Sequence, residues 1–181
     1  MNIFDVIILA VLQGITEFLP ISSSGHLVLA QSWLGIKEPM LTFDIVLHLG
    51  SLISVLIYYR NRLQQIIISL FKWLFHKNLM TENDRYHFQF IPLVIIATLP
   101  AVLIGLLFKD IVEKMFASTS FVSISLCITA LILFLTRFLK KGDNDNILWW
   151  QALIIGSAQA FAITPGISRS GSTIATSVYL G

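Results

Sequence analysis

The sequence predicts an all-α integral membrane protein. The expected architecture is an inverted repeat: a re-entrant helix–loop–helix plus three spanning helices, with the second repeat incomplete. Three observations lead there. Hydrophobic residues make up 56% of the 181 and charged residues only 12%. Three apolar runs are long enough to span a bilayer. Two shorter apolar segments, broken by Ser/Gly-rich turns, resemble each other.

Composition comes first. Soluble domains carry about 25% charged residues, because their surfaces must be solvated. This chain, with a mean hydropathy of +0.82, is solvated by lipid instead. The net charge of +2 is too small to argue for nucleic acid, and no basic stripe interleaved with aromatics appears. The single cysteine, Cys127, lies inside an apolar run, so it forms no internal disulfide and is expected to pack. No basic leader or Ala-x-Ala site marks the N-terminus, so no cleaved signal peptide is expected.

The whole chain reads as one membrane domain. The first segment, residues 2–36, holds an apolar stretch at 4–18 that would reach only about 22 Å as a helix. It breaks at Leu19-Pro20-Ile21-Ser22-Ser23-Ser24-Gly25, and residues 26–35 add only about 15 Å. Irregular backbone exposed to lipid is forbidden at depth, so the break must line a cavity, and a re-entrant hairpin follows. Residues 42–139 then hold three runs, at 42–59, 88–108 and 119–139, each able to cross about 30 Å of hydrocarbon. Pro92 and Pro100 in the second run are expected to kink it. Between the first two runs, Leu63, Ile66, Ile67, Leu70, Phe71 and Leu74 repeat at helical spacing beside Arg62, Lys72 and Lys77. That pattern predicts an amphipathic interfacial helix near 62–77. The last segment, 148–181, is again short and broken, at Thr164-Pro165-Gly166-Ile167-Ser168-Arg169-Ser170-Gly171. Trp33, Trp73, Trp149 and Trp150 are expected as interfacial anchors.

A shift of 146 residues aligns the broken segments. Gln13 falls on Gln159, Ile21 on Ile167, Ser22 on Ser168, Ser24 on Ser170 and Gly25 on Gly171; Ile8, Leu34 and Gly35 also match their counterparts, eight identities in 28 positions. The matches in the turn are the informative ones, and an internal duplication is expected. Three intervening spans put the copies in opposite orientation. Residues 60–87 carry five Lys/Arg and residues 137–147 carry three, against two balanced by acids in 109–118. The positive-inside rule then makes the two basic loops cytoplasmic, and the two turns can meet near the midplane. By the same symmetry, Gly181 is the counterpart of Gly35, so the three spans of a second repeat are expected beyond it.

Ionisable groups within these segments are Asp5, Glu17, His26, Asp44, His48 and Arg169. A charged residue costs about 2.5–3.5 kcal/mol at mid-bilayer, so the deepest of them point to function. Gln13 and Glu17, four apart, share a helical face. A carboxylate and an amide oxygen so placed can hold a hard divalent cation against phosphate oxygens, or the glutamate can bond the serine-rich turn. Ser22-Ser23-Ser24-Gly25-His26 supplies hydroxyls, a flexible turn and a base. A helix starting near His26 would aim free N–H groups and its positive dipole end at a phosphate; otherwise the serines cap that helix and His26 is a satisfied buried histidine. Arg169, within Pro165-Gly166-Ile167-Ser168-Arg169-Ser170-Gly171-Ser172-Thr173, offers a fork of donors suited to bidentate phosphate contact, or it pairs with Glu17. For Asp44 and His48, also four apart, an interfacial ion pair is expected ahead of a supporting role at the site.

These motifs resemble a known family. Gln13-Gly-Ile-Thr-Glu-Phe-Leu-Pro-Ile-Ser-Ser-Ser-Gly-His26 and Pro165-Gly-Ile-Ser-Arg-Ser-Gly-Ser-Thr173 are similar to the two signature motifs of the bacterial undecaprenyl-diphosphate phosphatases, the bacitracin-resistance family. Thr42-Phe-Asp-Ile-Val-Leu-His-Leu-Gly50 resembles the family's segment after the first re-entrant loop. The resemblance runs the whole chain in order. It implies hydrolysis of undecaprenyl diphosphate to the monophosphate carrier of cell-wall synthesis, in the bacterial cytoplasmic (inner) membrane, with a divalent cation, Mg2+ or Ca2+. It further implies Glu17, Ser23, His26 and Arg169 as catalytic residues and Gln13 with Glu17 as the metal pair. Ser22, Ser24, Gly25, Ser168, Ser170, Gly171 and Thr173 would bind the diphosphate. The partners expected are the polyprenyl diphosphate lipid and the bilayer, not nucleic acid, and a homodimer is compatible with this reading. Gln13 stands where the motif otherwise has glutamate, a variant the pattern allows. A phosphatidic-acid-phosphatase type is excluded, because position 175 is Ala rather than His and the upstream Lys…Arg-Pro element is absent. A non-catalytic inverted-repeat transporter or flippase for lipid phosphates stays open. It would be indifferent to chelator and to loss of a candidate base.

Overall fold

A computed structural model describes residues 2–36, 40–139 and 147–181, and among these the backbone forms helices and turns with no strand. Helix α1 (Ile3–Thr16) opens on a capping box, with Asn2 accepting from the Asp5 amide while the Asp5 carboxylate accepts from the Asn2 amide. After the first turn comes α2 (Ser23–Trp33), three residues earlier than the expected start near His26. Helix α3 (Leu41–Tyr58) follows, and at Tyr59 the chain bends by 75° into α4 (Arg60–Phe75). A single 3-10 turn, Lys77–Leu79, leads to α5 (Glu82–Phe88), capped by Thr81 and tied to α4 by Lys72 on Asp84 at 2.8 Å.

Helices α5 and α6 (Phe90–Leu107) run as one rod, Glu82–Leu107, 26 residues of mean hydropathy 2.6. Both prolines lie within this rod, Pro92 in the first turn of α6 just past Gln89 and Pro100 in the interior of α6. Next are α7 (Lys109–Phe116) and α8 (Thr119–Thr136), the latter 18 residues of mean hydropathy 2.1. The last pair is α9 (Trp149–Phe161) and α10 (Arg169–Tyr179). Among the described residues two continuous helices are thus long and apolar enough to cross a membrane, and the bent pair α3–α4 supplies a third candidate. Lys140 and Lys141, assigned to the cytoplasm above, lie outside the described residues.

The molecule is inside-out relative to a soluble domain. Its buried positions include Gln13, Thr16, Gln31, Ser125, Thr129, Ser168 and Ser172, while Ile, Leu and Phe side chains from nearly every helix are exposed, as are the four tryptophans. Such a surface in water would aggregate; against lipid it is the favourable one. The interior is assembled through small residues and hydrogen bonds, as bilayer helices require. Helix α9 lays Ala152, Gly156 and Ala160 against α6 so closely that a Cβ on Gly156 would overlap the Ala97 carbonyl. The pair α1–α2 packs on itself, as does α9–α10, and α8 packs against both α2 and α10.

Candidate active site between the two turns

The two Ser/Gly turns meet. A Cβ placed on Gly25 would stand 2.8 Å from Gly166 Cα, and one on Gly171 would stand 2.8 Å from the Pro20 carbonyl oxygen. Both glycines are therefore required by close backbone approach, not by turn conformation. Each turn begins its helix in the same way. Ser22 accepts from the Gly25 amide at 3.4 Å and lies 3.3 Å from Ser24; Ser168 accepts from the Gly171 amide at 3.0 Å and lies 3.3 Å from Ser170. The second turn is further pinned by Thr129 of α8, which donates to the Gly166 carbonyl at 2.8 Å and accepts from the Ser168 amide at 3.0 Å.

A cavity of about 810 Å³ opens where the turns meet. Its wall brings together Glu17, Ser22, Ser23 and Ser24 from the first turn with Ser168, Arg169, Ser170 and Thr173 from the second. Glu17, at the C-terminus of α1, is the centre of a polar cluster. Its Oε2 accepts from Ser23 Oγ at 2.5 Å and from Gln13 Nε2 at 2.9 Å, and His48 Nε2 lies 3.6 Å away. Arg169 is exposed to the cavity and makes no ion pair with Glu17 or any other carboxylate among the described residues. The guanidinium thus has no carboxylate partner among the described residues, and the pairing of Arg169 with Glu17 that the sequence left open does not form.

Four candidates from the sequence stand back from the wall. Gln13 is 1% exposed and turns its Nε2 to Glu17 and Ser51, leaving Oε1 buried without a partner among the described residues. His26 donates Nδ1–H to the Ser22 carbonyl at 2.8 Å and does not line the cavity. Because α2 starts at Ser23, that hydroxyl sits at the helix N-terminus facing Glu17, and the side chain hydrogen-bonded to it is Glu17 rather than His26. Gly25 and Gly171 serve the packing of the turns.

Other residues join the site without having been expected there. The ion pair foreseen between Asp44 and His48 is replaced: Asp44 accepts from Gln31 Nε2 at 2.6 Å, and His48, its Nδ1–H on the Asp44 carbonyl, turns Nε2 toward Glu17. Lys109 and Glu113 of α7, 3.8 Å apart, border the cavity, as does Gln159 of α9. Of these, Asp44 and His48 carried a sequence signal for a supporting role at the site, and Gln159 carried one as the counterpart of Gln13; Lys109 and Glu113 carried none.

The fold and this polar interior define a multi-pass helical membrane protein. The profile of the family described as Bacitracin resistance protein BacA matches residues 6–181, and the chain belongs to that family. It is 40% identical over 184 residues to the undecaprenyl-diphosphatase of Syntrophotalea carbinolica, covering all of this chain and 67% of that protein. It is 44% identical over 176 residues to undecaprenyl-diphosphatase 1 of Bacillus cereus, covering 97% of this chain and 64% of the relative. The undecaprenyl-diphosphatase of Christiangramia forsetii is 43% identical over 187 residues, with 100% and 66% covered. The chain thus spans about two thirds of the length of these curated relatives.

Proposed function

We propose that the protein hydrolyses undecaprenyl diphosphate to undecaprenyl phosphate and inorganic phosphate in the bacterial inner membrane, recycling the lipid carrier of wall synthesis. The relatives' printed names support the reaction. The observation that carries it is the Ser23–Glu17 hydrogen bond at 2.5 Å, in a cavity that Arg169 also lines, with no carboxylate partner among the described residues. A diphosphate needs an attacking group and compensation for charge on the transferred phosphoryl, and little else. Ser23 Oγ would attack the terminal phosphorus as Glu17 takes its proton, and the P–O bond to the lipid phosphate would break. Glu17 would pass that proton to the departing lipid phosphate. Again a carboxylate, it would deprotonate the water that attacks the phosphoserine and releases inorganic phosphate, and the Ser23 oxygen would recover its proton from Glu17. Arg169 matches the charge that accumulates, and Ser170 and Thr173 add hydroxyls. His26 serves this scheme by holding the backbone of Ser22.

A divalent cation belongs to the proposal in restricted form. Among the described residues no three His, Cys, Asp or Glu side chains stand together as a metal set, and Gln13 offers Glu17 a donor, not an oxygen. Glu17 alone fits, as one carboxylate sharing a cation with phosphate oxygens, a mode Mg2+ commonly uses. When bound, the cation would neutralise phosphate charge.

The inverted relation of the two repeats is part of the same proposal. Under the 146-residue shift Pro20 corresponds to Gly166 and Gly25 to Gly171, so the contacts Gly25–Gly166 and Gly171–Pro20 are one contact made twice with roles exchanged. Reciprocity of that kind is the mark of a two-fold relation and supports a pseudo-two-fold axis through the turns. With Arg60 and Arg62 cytoplasmic, the first hairpin would enter from outside.

The test is phosphate release from a polyprenyl diphosphate by the full-length protein, with and without EDTA. Chelator-sensitive release abolished by Glu17→Gln is expected. Lipid phosphate movement without phosphate release, indifferent to EDTA and to Glu17→Gln, would establish the transporter reading instead.

A further inference from the structure

Gln13 and Gln159 occupy equivalent positions in the two repeats, and their amides are used differently. Gln13 is buried, and its Nε2 is committed to Glu17 one turn on and to Ser51 of α3. For Gln159 the residue one turn on is Ile163, whose Cδ1 packs 3.7 Å from a Cβ placed on Gly105. No acceptor replaces the missing carboxylate. Gln159 has no hydrogen-bond partner among the described residues, and it lines the cavity with Ser168, Arg169 and Ser170. Its backbone is fixed, because Gly156, one turn earlier, is locked against Ala97. Gln159 is only half-buried, so its amide reaches the cavity with both donor hydrogens uncommitted among the described residues. Beside an arginine exposed to the same cavity, the ligand that suits it is an anion bearing several acceptor oxygens.

We propose, on the diphosphatase reading above, that Gln159 is a substrate-binding residue that donates its amide N–H groups to the oxygens of the diphosphate opposite Glu17. Gln13 holds the carboxylate that acts; Gln159 holds the group acted upon. Removing the amide therefore weakens binding, and replacing it with a carboxylate adds repulsion at the same place.

The experiment uses full-length protein in detergent or vesicles and two probes: turnover of a polyprenyl diphosphate, and calorimetric binding of inorganic pyrophosphate. Gln159→Leu is expected to raise KM and the pyrophosphate Kd about tenfold or more, the range for a lost hydrogen bond to a charged group. The loss should fall on KM more than on kcat. Gln159→Glu, close in size to glutamine, should be worse than Gln159→Leu on both measures, which a packing role would not produce. Gln13→Leu should instead lower kcat. Wild-type KM and pyrophosphate affinity in both Gln159 variants would overturn the inference, as would equal effects of Leu and Glu confined to kcat and thermal stability. If the wild type binds pyrophosphate but releases no phosphate, the hydrolase reading fails while the Gln159 variants still decide the binding role. If it does neither, both fall.

Discussion

In the first turn, Ser22 caps α2 from the left-handed region, at φ 68°; in the second, Ser168 caps α10 from ordinary extended backbone, at φ −72°. The second turn does contain a positive φ, 93°, but at Gly166, where no Cβ makes it expensive. Serine in that region carries a strain of about 1–3 kcal/mol, held by the cap to Gly25 and by His26 on the Ser22 carbonyl. The chemistry separates along the same line. The first helical residue is Ser23 in one copy and Arg169 in the other, and Glu17 faces Ile163 across the alignment. Two similar backbone cradles thus carry opposite equipment. On the proposed mechanism, attacking hydroxyl, proton acceptor and strain sit on one side, and cation and relaxed backbone on the other. Two alike turns would supply the frame, and a few side chains at matched positions the reaction.

That division can be broken experimentally. The largest effect is expected from Glu17→Gln, which keeps the hydrogen-bonding shape but cannot take the Ser23 proton. Phosphate release should fall about a thousandfold or more, within the range for a positioned base, and adding Ile163→Glu should restore none of it. Ser23→Ala should cost at least about a hundredfold and abolish any acid-stable phosphoenzyme; a fully active Ser23→Ala protein, or an acid-labile phosphoenzyme on nitrogen, would move the attack to His26. Arg169→Lys should be nearly as damaging as Arg169→Ala, since lysine keeps the charge and loses the fork. Near-wild-type turnover by the lysine variant would reduce Arg169 to a point charge.

Stability comes next. Gly25→Ala and Gly171→Ala should each destabilise by about 1–3 kcal/mol through overpacking against the facing turn, and by similar amounts if the two contacts are equivalent. A thermal melt showing one tolerated and one not would break the symmetry. The smallest effects separate the caps. Ser168→Gly should cost a few tenths of a kcal/mol in capping, whereas Ser22→Gly should be neutral or stabilising because it relieves the left-handed strain.

Much of this was legible in the residues. Apolar length and the position of Gly and Pro located α3, α6 and α8 to within a few residues, and the Ser/Gly breaks located the two turns. Glu17, Ser23 and Arg169 were also visible, because ionisable or hydroxyl-rich positions stand out in so apolar a chain. What was not visible depended on partners distant in sequence. His48 looked destined for Asp44 at helical spacing, but Gln31 takes that carboxylate from thirteen residues away. The start of α2 at Ser23 moved the serine toward Glu17 and His26 away from the cavity. Thr129 carried no signal at all, being one hydroxyl in an apolar run.

That hydroxyl has a mechanical consequence. By bonding both the Gly166 carbonyl and the Ser168 amide, Thr129 rivets the second turn to the middle of α8, a helix whose outer face meets lipid. A spanning helix answers a change in bilayer thickness by tilting, and a riveted turn tilts with it. The first turn meets the same helix through packing instead, Gly25 against Leu126, and it also abuts the second turn at Gly166. Stretching or thinning the membrane would then load the packed seam between the turns, so that the thickness of the surrounding lipid bears on the spacing of Arg169 and Ser23.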